Sequence, residues 1–179
     1  DNEFKEEYVA EELFHNLHTL GCRVDEISNK IEELSKIFKI EKILSERIDS
    51  LYLEDKILVK ILSYLIIDPK IIAIDDLFSY LDPKKLDILF DYVRDHNMSM
   101  IYVTTNPEHL LLADDIVLMN NYKAIICSDR RQFFSGNSVL PYMGLGLPFI
   151  IEMSHNLELY GLVDKTYESI EKVVDHIWK

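Results

Sequence analysis

Apolar residues recur at helical spacing through the first forty positions. Val9, Leu13, Leu17 and Leu20 lie three or four apart, with Gly21 as a stop, and Ile27, Ile31, Leu34 and Phe38 form a second stripe. Charged residues fill the opposite faces, so two amphipathic helices are predicted. Ile57, Leu58, Ile61, Leu62 and Leu65 put apolar groups on more than one side, which predicts a third, largely buried helix. The period then changes. Ile71–Ile74 is a short apolar run between Pro69-Lys70 and Asp75-Asp76, the pattern of a strand buried on both faces of a parallel sheet. Pro83 suits a first helical position, with Leu86, Leu89, Phe90 and Val93 on the inner face of the helix it opens. Met98–Thr104 is a second strand, giving a strand–helix–strand crossover. Asp115–Met119 and Ala124–Cys127 form a hairpin through Asn120-Asn121-Tyr122-Lys123. Polarity rises around Ser135–Ser138, where a boundary is expected. Helical spacing then resumes with Phe149, Ile150, Met153 and Leu157, and again with Ile170, Val173, Val174 and Ile177.

Composition adds exclusions. The 179 residues fit one domain, or one domain with an appendage, and 48% are apolar, enough for a core. Nineteen Lys and Arg against 32 Asp and Glu give a formal charge of -13. Such a surface repels phosphate backbones and argues against a nucleic-acid partner; solubility explains the acidity more simply. Cys22 and Cys127 lack metal-ligand spacing and fit free thiols in a reducing compartment. The most apolar stretch, Ile57–Ile67, contains Lys60 and is too short to span a bilayer. The start, Asp1-Asn2-Glu3-Phe4, has no Met and no signal segment, and reads as a chain cut within a fold.

The most informative local feature is the pair Asp75-Asp76 at the end of a hydrophobic strand. Ligands of open parallel sheets bind beyond the carboxyl ends of the strands. An Asp there can hold magnesium through water, and a second carboxylate can orient an attacking water. Taken alone, the pair fits a solvated turn or a helix cap better. Its surroundings favour the functional reading. The run Ile71-Ile72-Ala73-Ile74-Asp75-Asp76, followed by Ser79-Tyr80-Leu81-Asp82-Pro83, resembles the Walker B strand and D-loop of ABC ATPases. Thr104-Thr105-Asn106 stands where that family has its Thr-His-Asp switch, and Ala113-Asp114-Asp115-Ile116-Val117 is similar to its Ala-Asp strand. The segment up to Gly21 and the stretch Leu140–Gly161, with Leu145-Gly146-Leu147-Pro148, resemble the energy-coupling-factor (cobalt-type, CbiO-like) subgroup.

That resemblance implies an α/β fold: a partial P-loop NTPase parallel sheet with a helical subdomain (1–48), a Walker B-containing core (49–134) and a C-terminal helical extension (135–179). It implies ATP and Mg2+ as the family's ligands, with Asp75 on the magnesium side, Asp76 as the water-orienting group and Thr105 as the altered switch. Ser79 and Asp82 would contact a second ATPase subunit, identical or different, and a transmembrane coupling subunit would dock on the helical region. The parent would lie in the cytoplasm on the inner face of the membrane.

The family pattern is also broken. Its signature Leu-Ser-Gly-Gly-Gln falls on Leu51-Tyr52-Leu53-Glu54-Asp55. Glycine lets backbone N–H groups approach a phosphate, whereas Tyr52 and Leu53 add bulk. Glu54 and Asp55 add negative charge; two unit charges about 4 Å apart repel by about 4 kcal/mol at an effective dielectric near 20. The same acids also suit the positive end of a helix. Asp76 is one methylene shorter than the usual Glu, and Thr105 cannot supply an imidazole. No GxxxxGK[ST] run occurs in the 179 residues, so nothing here cradles the β- and γ-phosphates. The six histidines form no metal or triad pattern and read as solvated or core-edge.

Two readings stand side by side. One is the ATP-binding subunit of an importer, an ATP hydrolase by resemblance, inactive as this piece alone. The other is a non-catalytic structural or regulatory subunit acting through dimerisation. An unrelated α/β domain is the third and must treat the ordered motifs as accidental.

Overall fold

The computed structural model describes residues 4–134 and 140–178. The expected boundary at Ser135–Ser138, the first three residues and the Cys127 side chain lie outside the described residues. The chain divides into two compact units, Asp1–Val103 and Thr104–Lys179.

The first unit is assembled on one helix. α1 (Val9–Thr19) and α2 (Val24–Phe38) bury the stripes that their sequences set out: Val9, Leu13 and Leu17 on one, Ile27, Ile31, Leu34 and Phe38 on the other. Leu20 falls beyond the end of α1 and is exposed, and Gly21 takes the left-handed φ of 82° that ends the helix. α3 (Leu53–Leu65) buries Leu58, Val59, Ile61, Leu62 and Leu65, close to its whole circumference, as expected for a helix apolar on several sides. Asn16 Nδ2 donates to Ser63 O at 2.6 Å and ties α1 to α3.

A buried acid adds a polar constraint. Glu12, 2% exposed, accepts from Lys5 N–H at 2.8 Å and Glu6 N–H at 3.1 Å, and its other oxygen lies 3.6 Å from Lys60 Nζ. A buried carboxylate is tolerated only when bonded and paired in this way. Here it fastens the segment before α1 to α1 and α3.

β1 (Ile71–Asp75) and β2 (Ser99–Val103) pair in parallel, Ile71 opposite Ser99 and Asp75 opposite Val103, with α4 (Pro83–Asp95) as the crossover. The expectation of burial on both faces is corrected. Ile72 and Ile74 are buried, whereas Ile71, Ala73, Ile101 and Val103 are exposed on the opposite face. The helices of this unit supply apolar partners to one side only. α4 turns Leu86, Leu89 and Val93 inward, with Phe90 half-buried between Phe78 and Tyr102.

In the second unit, β3 (Asp115–Asn120) and β4 (Lys123–Asp129) form the anticipated antiparallel hairpin. Asn121 and Tyr122 occupy its turn at φ 48° and 62°, the positive values that match the twist of paired strands. α5 (Arg130–Phe134) follows at once. The Arg130 guanidinium donates to Leu111 O and Ala113 O at 2.6 and 3.0 Å and to Glu168 at 3.2 Å. One side chain thus ties the start of α5 to the turn before β3 and to the loop before residue 170. α6 (Phe149–Leu159) buries Ile150 and Ile151 and leaves Phe149 exposed, one position on from the expected face. α7 (Ile170–Ile177) buries only Val173, and Ile170, Val174, Ile177 and Trp178 remain exposed.

Tyr92 gives a pH test of the first unit. It sits on α4, its ring stacked on His96 at 3.9 Å and against Phe38 at 5.5 Å. Burial pushes its phenol up to about 12, assisted by the charges of Asp68 and Glu33 and a bond to Asp68. The folded value exceeds the unfolded one of 10.0, so the neutral phenol's contribution is complete below pH 10 and lost as pH rises towards 12. Urea unfolding of Tyr92→Phe is expected to show a shallower loss of stability above pH 10 than the parent; parallel curves would remove Tyr92 from the alkaline transition.

Candidate nucleotide and docking sites

β1 delivers Asp75 to the carboxyl edge of the parallel pair, and the chain turns immediately. Asp76 N–H donates to Val103 O at 2.9 Å, extending the ladder by one bond. Asp76 itself takes φ 48°, left-handed backbone that a short polar side chain tolerates better than most. Both carboxylates are exposed and make no ion pair among the described residues. They are therefore open to solvent at the sheet end, the edge beyond which ligands of open parallel sheets bind.

The next segment is fastened at both ends. Phe78, 2% exposed, packs against Phe90 and Tyr102 at ring distances of 5.5 and 4.9 Å. Leu81 is buried, while Ser79 and Tyr80 between them are exposed. Asp82 is the N-cap of α4: its carboxylate accepts from Lys84 N–H at 2.8 Å, and Pro83 fills the first helical position, where no N–H is needed. Asp82 N–H in turn donates to Glu54 Oε1 at 2.8 Å.

Tyr52 is the N-cap residue of α3, so Leu53, Glu54 and Asp55 form its first turn. Leu51 precedes it, half-buried against the core of the unit. Tyr52 and Leu53 are exposed by 85% and 58%, so the bulk they add stands outward at the helix start. The two acids do not point to bulk water. Lys85 Nζ lies 2.9 Å from Asp55 Oδ1 and 3.3 Å from Glu54 Oε1. Burial lowers the lysine pKa, but the bonds and charges of Asp55 and Glu54 outweigh it and hold the ammonium above its ordinary value. The bonds of these acids thus run to Lys85 and, from Glu54, to the Asp82 N–H at the start of α4, while the N-cap of α3 itself makes no side-chain bond.

In the second unit, Thr105 is exposed and its neighbours are not. His109 is 6% exposed, its Nδ1 2.9 Å from Thr104 Oγ1 and its Nε2 3.3 Å from Asn106 Nδ2. Asn106 Oδ1 accepts from Glu108 N–H, which orients the amide so that Nδ2 donates to Nε2 and Nδ1–H donates to Thr104. Of the solvated and core-edge settings expected for the histidines, His109 takes the buried one, and its polar partners were not foreseen. The signal was its spacing. Asn106 caps the turn, Pro107 opens it, and a side chain three residues past Asn106 folds back on the cap.

A groove of ≈ 710 Å³ opens between α1 and α2 in the first unit. Ala10, Phe14, Ile31 and Leu44 form its apolar lining, and Glu6, Glu11, Glu32 and Glu41 line it with negative charge. His15 bonds Glu6 at 2.7 Å and Lys36 pairs with Glu32, leaving Glu11 and Glu41 without ion pairs among the described residues. No described helix is long and apolar enough to cross a membrane.

No protein-family model matches the chain. Among curated proteins, it is 28% identical to the energy-coupling factor transporter ATP-binding protein EcfA1 of Mesomycoplasma hyopneumoniae, over 100% of this chain and 66% of that one. It is 25% identical to EcfA1 of Streptococcus thermophilus, over 60% of this chain and 41% of the relative. The chain thus spans less than two thirds of the length of these relatives. Among solved structures, cbiO1 of Clostridium perfringens, part of the ABC transporter complex cbiONQ, superposes with a TM-score of 0.66 at 20% identity, covering 87% of this chain and 64% of that one. An ATP-binding cassette of another ABC transporter gives 0.60 at 16% identity, covering 88% and 64%.

The left-handed turn after β1 is testable by substitution. Asp76→Val puts a β-branched residue at positive φ and is expected to cost about 1–2 kcal/mol, whereas Asp76→Asn should be close to neutral. Chemical denaturation checks both, and equal losses would show that the turn does not constrain this position. The chain carries the fold of ABC ATPases, and its curated relatives are ATP-binding proteins of energy-coupling-factor transporters.

Proposed function

We propose that these 179 residues are part of the ATP-binding subunit of an importer of the energy-coupling-factor type. The observation that carries this reading is the strand ending at Asp75-Asp76, on the carboxyl edge of a parallel pair, within an ABC ATPase fold. Asp75 would then face magnesium through water, and Asp76 would orient the water that attacks the γ-phosphate. Thr105 would stand in the switch position with a hydroxyl in place of an imidazole. Ser79 and Asp82, with the start of α3 from Leu51 to Asp55, would face a second ATPase subunit. The three sequence-based regions would serve as docking surface (1–48), nucleotide-facing core (49–134) and extension (135–179). Since no phosphate loop occurs among these residues, the chain by itself is expected to bind no ATP. Titration calorimetry with MgATP should give no saturable heat. A 1:1 isotherm would overturn this part of the reading.

The groove between α1 and α2 would receive a helix of a transmembrane partner, placing the subunit on the inner face of the membrane. Its apolar lining and acidic residues suit a short amphipathic helix with a basic side. Charge reversal at Glu11 and Glu41 leaves the apolar lining intact and is expected to weaken co-purification with the transmembrane subunit about tenfold at low ionic strength, less in high salt. Unchanged capture would move the docking surface elsewhere.

A further inference from the structure

Two helix starts meet in the first unit. α3 begins at Leu53 and α4 at Pro83, and Glu54 lies within hydrogen-bond reach of Asp82 at the cap of α4. Each helix N-terminus carries partial positive charge from its unpaired N–H groups. Lys85, in the first turn of α4, adds a full one. Such a junction is unfavourable unless negative charge offsets it. The chain supplies that charge itself. Asp82 caps α4, Asp55 binds Lys85 at 2.9 Å, and one oxygen of Glu54 accepts from Asp82 N–H at 2.8 Å while lying 3.3 Å from the same ammonium. The three side chains are roughly one-quarter to one-third exposed, sheltered enough for the bonds to outlast ordinary salt.

We propose that Glu54, Asp55 and Lys85 form an ionic clasp that holds the segment Ser79–Asp82, exposed at Ser79, Tyr80 and Asp82, in one position against the start of α3. Lys85 is the positioning residue. It touches nothing in that segment with its ammonium, yet it fixes Glu54, and Glu54 holds the Asp82 amide. At the other end the Phe78 ring is locked in its aromatic cluster and Leu81 is buried in the core, so the clasp removes the freedom left to Ser79, Tyr80 and the Asp82 backbone. Ser79 and Tyr80 are then displayed on a preordered surface, and a partner binding there pays less ordering entropy than one that must first fix a loose loop. The clasp stands on geometry alone, so its failure would leave the importer reading untouched.

Amide hydrogen exchange on the full chain tests it, compared between the parent, Lys85→Met, Lys85→Arg and Glu54→Gln. Loss of a charge-assisted bond between partly buried groups is expected to speed exchange of the 79–82 amides by about five- to tenfold in Lys85→Met. Leu62 in α3 and Ile72 in β1 should keep their protection. Glu54→Gln keeps an acceptor for Asp82 but loses the ionic tie, and should fall between. Lys85→Arg should restore slow exchange. The proposal is overturned if Lys85→Met leaves 79–82 as slow as in the parent, or if Leu62 and Ile72 speed up in step with them. It is equally overturned if Lys85→Arg behaves like Lys85→Met.

Discussion

Burial of α3 on nearly every side is the constraint from which the first unit follows. A helix with Leu58, Val59, Ile61, Leu62 and Leu65 all withdrawn from water needs apolar neighbours all round. α1 presents its narrow stripe, and α2 and α4 contribute to the same core together with the inner face of β1. Each such side chain contributes about 1.5–3 kcal/mol when fully buried, so this one helix accounts for a large part of what holds the unit together. The polar ties are subordinate but directional. Glu12 and Asn16 fix α1 against α3, which hydrophobic contact alone would leave free to slide.

What the sequence revealed and what it hid divide along physical lines. The stripes of α1, α2 and α4 were legible because 3.6-residue spacing registers which face meets a core. The hairpin was legible because Asn tolerates positive φ. β1 was legible as a strand in a parallel pair, but not in its burial: a continuous apolar run such as Ile71–Ile74 is the same whether or not a layer covers its second face. The face of α6 slipped by one residue because Phe149, Ile150 and Ile151 are all apolar and spacing alone cannot choose among them. His109 was hidden because its partners are a cap and a hydroxyl in its own turn, with no metal-like or triad-like pattern. The pairing of Glu54 and Asp55 with Lys85 spans about thirty residues and has no periodic signature. From sequence, those acids could be read as repelling a phosphate or as steadying a helix; the contacts show what they hold.

Two kinds of carboxylate therefore lie close together in the chain and differ in their surroundings. Asp75 and Asp76 end a strand, face solvent and make no ion pair among the described residues. Glu54, Asp55 and Asp82 are engaged by a lysine and by backbone N–H groups at helix starts. The difference is one of backbone placement. A strand end projects its side chains past the last ladder bond, while the other three acids sit where two helix starts meet, within reach of a lysine and of the N–H groups that open α4.

The outward face of β1 and β2 has a cost of another kind. Ile71, Ile101 and Val103 are exposed on a parallel ribbon, both of whose strands are edges among the described residues. That is the surface on which chains stack into insoluble assemblies. The excess of 13 negative charges works against it: molecules that approach within a screening length repel before their ribbons can meet. Colloidal stability is thereby tied to acidity, and it should fade wherever protonation or concentrated salt erases the repulsion, while the fold beneath stays intact.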